Sequence, residues 1–437
     1  MILGIDLGST VFKAEVFDTK LQSCGKGAAP VVYETTDKNR VEMPIPATED
    51  AVRQAIATAL KNADIATESL TAVAITSQAQ TFTALAETGA PKWPAFISWR
   101  DTRCELRNSA AEKLANFADH SSVGTCLPGL TVAKLAYLRE HADMPPIAAT
   151  DRVLWLPTYF VEKWTGHSVI DNNLAAMSGL YSLQTGGWWN DALEICELRK
   201  SNLPQLVPLG AVAGYTTAAA TTFGLPAGIP VVLAGNDQTA GAYGAGIHEQ
   251  DAVLVTLGTA QVVYACRDQL PAPAPGLMRG PYPGDGFYQL GADNCGAGTV
   301  NWARTLLPGC VSEAEFDRAA ASAPPDCHGV RFIADDSSGL GHWTGTENPI
   351  ATIADQARAV LVCLTERLGN MLAKLSMDVG KHPVLLSGGG SESAPWRECL
   401  KQQLNLEFTR VGAASPPLGA AKMSLAKDLA SQKIMND

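Results

Sequence analysis

Two kinds of hydrophobic block run through the chain. The first is a short apolar run that breaks on a glycine-containing polar turn. Residues 2–5 stop at Asp6-Leu7-Gly8-Ser9-Thr10, and residues 11–18 resume with β-branched and aromatic side chains, which predicts a β-hairpin. Residues 252–257, the turn Gly258-Thr259-Ala260 and residues 261–266 repeat that plan far downstream, which suggests two related lobes with one such hairpin each. Residues 70–75, 94–98 and 384–386 read as further strands. The first of these runs into Thr76-Ser77-Gln78-Ala79-Gln80-Thr81 and the last into Ser387-Gly388-Gly389-Gly390-Ser391. The second kind of block has helical spacing. Residues 48–62 place apolar side chains at 52, 55, 56, 59 and 60, and residues 352–378 form the longest such pattern, a stripe that reads as core. Helices are also predicted over 109–116, 132–141, 299–307 and 395–404. Another follows the capping box Ser312-Glu313-Ala314-Glu315, and the last opens at Pro417. Residues 151–164 read as a helix interrupted by Pro157, residues 165–230 as mixed structure, and the Pro- and Gly-rich residues 271–289 as loop.

The stretch 231–246, VVLAGNDQTAGAYGAG, predicts a strand, a tight turn and a helix of small residues that another backbone can approach closely. Its one carboxylate, Asp237, falls at or beside the helix N-cap, where an acidic side chain is stabilised. The same position, at the carboxyl end of a strand, is where open α/β sheets present groups to ligands. Both readings stay open on this stretch alone. Gly228-Ile229-Pro230 reads as a linker, dividing an α/β chain into domains 1–230 and 231–437.

Other turns carry their own chemistry. A Gly-Ser-Thr turn offers backbone N–H groups and hydroxyls to phosphate oxygens, with Lys13 as a nearby cation and Asp6 placed to hold Mg²⁺ through water. A plain turn with a capping Asp has the same sequence. A strand, three glycines and a helix suit a flat ring or a phosphate lying on backbone, or a flexible turn. In Trp99-Arg100-Asp101-Thr102-Arg103, an aromatic face beside charged groups suits a sugar, while an Asp–Arg pair at a helix start accounts for it equally.

Composition narrows the partners. The net charge of −11 argues against a nucleic-acid or anionic-membrane surface but not against a local phosphate site. Ten scattered cysteines, none in Cys-x-x-Cys spacing, fit reduced thiols packed as small hydrophobes. The first residues, MILGIDLGST, lack a basic region and meet Asp6 too early for a signal peptide, and no apolar run approaches membrane-spanning length. The expected compartment is the cytoplasm.

Taken in order, Asp-Leu-Gly-Ser-Thr (6–10), Gln-x-Gln (78–80), Trp-x-Asp-x-Arg (99–103), Gly-x-Asp-Gln (235–238), Leu-Gly-Thr (257–259), Gly-Gly-Gly-Ser (388–391) and Leu-Gly-Ala-Ala (418–421) resemble the FGGY family of carbohydrate kinases along essentially the whole chain. Within that family the layout is most similar to xylulose kinases. The resemblance implies the two-domain, actin-like (ribonuclease H-like) ATPase fold with a nucleotide and sugar cleft between the domains. It implies ATP and Mg²⁺, transfer of the γ-phosphate to a terminal hydroxyl of a ketose with xylulose as the leading candidate, and a homodimer as the family expectation. By resemblance Asp237 matches the catalytic base and Asp6 the carboxylate near Mg²⁺. Gly8, Ser9, Thr10 and Lys13 match the first phosphate loop, Gly258 and Thr259 the second, and Gly388, Gly389 and Ser391 the adenosine turn. Gln78, Ala79, Gln80, Trp99, Asp101, Arg103 and Gln238 fall where members contact or frame the sugar. The chain departs from the xylulose kinase pattern at Gln80 and Arg100, where His and Asn are usual. Residues 335–349 also lack a Gly-Glu-Arg-x-Pro loop common in the family. Another ketose, a polyol, or a nucleotide- or sugar-binding relative without turnover therefore remain as alternatives.

Overall fold

A computed structural model of the chain describes residues 1–37, 39–104, 114–141, 144–336, 338–412 and 414–426. The elements that build the site are β1 (Ile2–Leu7), β2 (Val11–Phe17), β3 (Ser23–Pro30), α1 (Ile45–Ala63), β4 (Ala72–Ser77), α2 (Thr131–Glu140), α3 (Asn172–Met177), β5 (Val212–Tyr215), β6 (Pro230–Asn236) and α4 (Asp237–Gly244). After these come β7 (Val253–Leu257), β8 (Gln261–Arg267), β9 (Leu277–Pro281), β10 (Phe287–Asp293), α5 (Ala297–Leu306), α6 (Ile353–Leu372), β11 (Val384–Ser387), β12 (Phe408–Arg410) and α7 (Pro416–Leu425).

β1 and β2 form the hairpin that their apolar runs predict, and β1 also pairs in parallel with β4, so it is buried on both faces. The first sheet has the order β5-β6-β4-β1-β2-β3, and the second β9-β10-β8-β7-β11-β12. Aligning β7 with β1 superposes the pairing plan. Each sheet runs two antiparallel steps to one side of this strand and two parallel steps to the other. The seven-residue echo in the sequence is thus the visible part of a five-strand repeat.

α1 covers one face of the first sheet, its Val52, Ala55, Ile56 and Ala59 packing with Leu3, Ile5, Phe12 and Val16. On the other face lies α7, the last helix described, whose Leu418 and Ala421 meet Ile2, Phe17 and Ala72. α7 also packs along α4 with almost no space between backbones: a Cβ on Gly419 would fall 1.7 Å from the Ala240 carbonyl oxygen. α4 is the run of small residues, and α7 is the backbone that approaches it. The second core is built by α6 against β7, β8 and β11. A third, antiparallel sheet joins Glu34–Thr35, Val41–Pro44, Ala95–Ile97, Phe82–Leu85 and Arg152–Trp155 and supports the loops that leave β4.

Several expectations change. Gly228-Ile229-Pro230 is not a linker between sheets: β6 begins at Pro230, lies between β4 and β5 and belongs to the first sheet. A Gly–Pro break can mark a chain reversal, and this one leads from the edge strand β5 back into the sheet as β6. Residues 151–164 are a strand, Arg152–Trp155, followed by a helix, Leu156–Thr165, that carries Pro157 in its first turn, where the missing N–H costs nothing. Residues 271–289 include strand β9 and the start of β10 rather than only loop. Both are short, and neither alternates cleanly because both faces are largely covered. The helix over 352–378 ends at Leu372. The helix expected over 109–116 falls largely outside the described residues.

Candidate active site

Three strands of the first sheet end side by side. In parallel register Asp6 stands beside Thr76, and Ser77 beside Asn236, so the carboxyl ends of β1, β4 and β6 lead directly to Asp6, Gln78 and Asp237. This is the edge at which open α/β sheets bind ligands.

The N-cap of α4 is Asn236, whose side chain accepts the Gln238 N–H at 3.0 Å. Asp237 is the first residue of the helix, with Oδ1 accepting the same N–H at 2.8 Å. The cap is therefore carried by Asn236 together with Oδ1 of Asp237, and no hydrogen bond among the described residues occupies the other Asp237 carboxylate oxygen. Burial pushes its pKa up to about 6, against the Gln238 N–H, Asn236 and the Lys13 charge. Asp6 is buried, and its Oδ1 has no hydrogen-bond partner among the described residues. Its pKa is pushed up to about 7, first by burial and then by the Asp237 charge, with Lys13 opposing from 3.8 Å. Two desolvated carboxylates thus face each other with one exposed ammonium, Lys13, beside them, a corner that favours an additional cation. Among the described residues no group of three or more His, Cys, Asp or Glu could hold a metal by itself.

The backbone around Asp237 is pinned from behind. Asn173 on α3 accepts the Asn236 N–H at 3.0 Å and donates to the Thr239 hydroxyl at 3.2 Å and to the Pro281 carbonyl at 2.7 Å. Tyr264 donates to the same Thr239 hydroxyl at 2.9 Å. Sequence reasoning passed over Asn173. Its signal is the apolar pair Val169-Ile170 followed by the capping Asp171, the same strand-to-helix transition that carries Asp237.

The turn of Gly8, Ser9 and Thr10 becomes progressively exposed, and Tyr33 donates to the Ser9 carbonyl at 2.6 Å. In the second sheet the turn of Gly258 and Thr259 closes through Gly258 N–H to Ala260 O at 3.0 Å. The start of α5 docks on it, with Ala297 and Gly298 donating to the Gly258 and Thr259 carbonyls. Gly388 has φ +89°, and a Cβ there would stand 2.5 Å from the Leu257 carbonyl oxygen. Only glycine lets the turn after β11 lie across the end of β7. Ser391 donates back to the Gly388 carbonyl at 2.6 Å, and the space beside Gly389 is open. The second-sheet turns are therefore brought together, and Asp6, Lys13 and Asp237 form the matching group on the first.

The residues read as sugar contacts divide. Trp99 is 44% exposed, with its N–H held by the Thr81 hydroxyl, and Gln238 is exposed. Ala79 is half-buried, and Gln78 is buried with Oε1 unpartnered among the described residues. Asp101 and Arg103 instead turn inward. The Asp101 carboxylate accepts the Val41 N–H and the Arg103 N–H, Nε and Nη2, and Arg103 reaches on to Glu42. With its oxygens occupied, Asp101 frames the loop from beneath, paired with Arg103. The Gln80 amide is engaged too. Its oxygen accepts from the Thr131 N–H and hydroxyl, and its nitrogen donates to the Met177 carbonyl. Arg100 lies over the Tyr33 ring at 5.0 Å.

Known proteins place this geometry. The chain is 27% identical over 454 residues to the xylulose kinase of Escherichia coli (strain K12), covering 97% of this chain and 89% of that one. It is 28% identical over 353 residues to an L-fuculokinase of Salmonella typhi, covering 75% and 71%. The crystal structure of xylulose kinase from Rhodospirillum rubrum superposes with a TM-score of 0.85 at 23% identity, covering 97% and 88%. The profile of the FGGY family of carbohydrate kinases, N-terminal domain, matches residues 1–244, more than half of the chain and the whole of the first sheet with the helix of Asp237. The chain therefore belongs to the FGGY family of carbohydrate kinases, ATP-dependent phosphotransferases built on the two-domain actin-like fold.

Proposed function

We propose that this kinase phosphorylates a terminal hydroxyl of a ketose, xylulose first among the candidates, with Asp237 as the base. The observation that carries the proposal is that Asn236 caps α4, leaving Asp237 desolvated beside Asp6 and Lys13 with an oxygen available to a hydroxyl. Support for xylulose comes from relatives bearing that name.

Phosphoryl transfer passes through a loose transition state, so positioning and charge neutralisation carry most of the rate. In this reading Asp237 orients the sugar hydroxyl and receives its proton as the phosphoryl group arrives. The N–H groups and hydroxyls of residues 8–10 and 258–259 hold the phosphates, Lys13 offsets their charge, and the adenosine lies over Gly388, Gly389 and Ser391. Trp99 and Gln238 face the sugar, with Gln78 and Ala79 at its floor. The unpartnered Oδ1 of Asp6, in a corner short of positive charge, fits a hydrated Mg²⁺ carried in with the nucleotide. Bound there, the ion would neutralise charge developing on the transferred group. We place the domain division after α4, in residues 245–252, where the chain leaves the first sheet. We assign the enzyme to the cytoplasm, in keeping with its free thiols.

The test is a coupled ADP-release assay over pentuloses, hexuloses, heptuloses and polyols. Sugar-dependent release is expected with at least one ketose, and Asp237→Asn is expected to lower it about 100-fold or more while the fold is kept. Full activity in Asp237→Asn would remove the assignment of the base. Turnover on polyols alone would remove the ketose.

A further inference from the structure

Among the described residues one lysine side chain is wholly buried. Lys134, in the second turn of α2, has 0% exposure, and among the described residues no carboxylate lies within ion-pair distance of it. It donates instead to two carbonyl oxygens, Ser98 O at 2.7 Å and Gln80 O at 3.4 Å. Burial pushes its pKa down to about 7 with the Asp101 charge opposing, and a polar nitrogen buried this way is costly unless hydrogen bonds replace its water. A helix position where a Met or Leu would pack without cost is therefore spent on two specific acceptors. Both acceptors lie in loops already assigned to the sugar. Ser98 immediately precedes Trp99, and Gln80 is the centre of the loop that leaves β4.

The same helix grips the second loop once more. α2 begins without a side-chain cap of its own from Leu130. Its first N–H, that of Thr131, is satisfied by the Gln80 side-chain oxygen at 2.8 Å, which also accepts from the Thr131 hydroxyl at 2.9 Å. The cap of α2 thus comes from a residue 51 positions earlier. Gln80 itself has φ +63°, a left-handed conformation that costs a non-glycine residue about 1 kcal/mol or more. Its backbone oxygen is held by Lys134, its amide oxygen by Thr131, and its amide nitrogen donates to Met177 O at the end of α3. Every strong contact of this residue is directed away from a ligand and into the scaffold.

We propose that Lys134 and Thr131 form a clamp on α2 that sets the relative position of the two sugar-facing loops, and that Gln80 is a positioning strut in this chain, not a sugar ligand. The first sugar-facing group on this side is then the Ala79 backbone and the Trp99 ring, held at a spacing fixed by one ammonium. Substrate preference follows from that spacing. This rests on the assignment of residues 78–81 and 98–99 to the sugar made above.

The clamp is tested with Lys134→Met, which keeps the volume and removes the charge, and with Thr131→Val, which removes one hydrogen bond from a near-isosteric side chain. Two measurements are made on the full chain. In amide hydrogen exchange, residues 78–81 and 98–101 are expected to exchange about tenfold faster or more in Lys134→Met, and less markedly so in Thr131→Val, while β1 and β7 are unchanged. In ADP-release kinetics on the best ketose, KM for the sugar is expected to rise about tenfold in Lys134→Met, with KM for ATP within about twofold of the parent. Unchanged exchange at both loops overturns the clamp. So does a loss of melting temperature with unchanged exchange at both loops and both KM values preserved, which is the outcome of a merely structural lysine. Loosened loops with an unchanged sugar KM uphold the clamp and remove the assignment of these loops to the sugar, and so separate the two readings.

Discussion

Asp171 has no part in the proposed chemistry, yet its carboxyl is fully buried one residue before α3. Oδ1 caps the helix by accepting the Leu174 N–H at 2.9 Å, while Oδ2 has no partner among the described residues. Burial pushes its pKa up to about 6, with the Leu174 amide pulling the other way. An exposed aspartate titrates near 4, so the folded chain holds this proton more tightly than the unfolded chain does. Its stabilising contribution is present at low pH and is lost as pH rises from about 4 through about 6. Asp171→Asn keeps a competent cap and removes the charge. It is expected to leave the melting temperature nearly unchanged at pH 4 and to raise it by about 2 °C or more at pH 8. An equal shift at both pH values would show that the charge is not the cause. At this scale the sequence was informative where a residue type is rare in its context, as with Asp237 among alanines and glycines. It was silent on Lys134, because a lysine in a helical stripe reads as solvated, and only the packing shows that α2 is covered on that side. The Asp101–Arg103 pair was legible as a pair, but its direction depended on Val41 and Glu42, far away in sequence.

Among the elements, α4 and α7 show how a base is held by packing. A methyl group on Gly419 cannot be accommodated 1.7 Å from the Ala240 carbonyl oxygen, so the two helices would have to separate. Gly419→Ala is expected to lower the melting temperature by several degrees and turnover by about tenfold, since α4 carries Asp237 at its first position. Normal kinetics in a destabilised Gly419→Ala would show that the base is held by Asn173 and Asn236 alone. Elements with strong periodicity or a capping signature could be read directly, including α1, α6 and the helix Glu313–Ser322, which has the expected Ser312–Glu315 capping box. The elements that were misread share one cause. β9 and β10 sit between Pro- and Gly-rich turns that together read as one loop, and Arg152–Trp155 runs straight into a helix, so in each case the strand edges are hidden. Pairing defines these strands, β9 with the neighbouring β10 and Arg152–Trp155 with the distant Phe82–Leu85, and pairing leaves little local trace.

The whole molecule is two sheets of one plan joined by few polar contacts. Arg279 on β9 reaches out of the second half to donate to the Ala118 and Asp119 carbonyls at 2.8 and 3.0 Å, and its backbone N–H is bound to Ser122 O. Burial pulls its pKa down, as expected of a guanidinium whose hydrogen bonds among the described residues go to carbonyls. Arg279→Met is expected to enlarge the radius of gyration of the ligand-free protein in small-angle scattering. The difference is expected to disappear when a non-hydrolysable ATP analogue and a ketose are both bound. Identical scattering without ligands would assign no restraint to this contact. The two-lobed plan was legible from one repeated hairpin, whereas the place where the lobes divide was not, because a Gly–Pro turn at 228–230 looks the same inside a sheet as between domains.

The course of α7 has a bearing on synthesis. The first sheet is finished by residue 236, but the groove at Gly4 and the flank of α4 stay open until residues 416–425 return to fill them. A nascent chain emerging from the ribosome at about 5–20 residues per second therefore carries the base-bearing helix for roughly 10 seconds or more before it is buttressed. During that interval Asp237 lacks the backing of α7 while the second lobe is still being made, so an unfinished or prematurely released chain is not expected to turn over ATP.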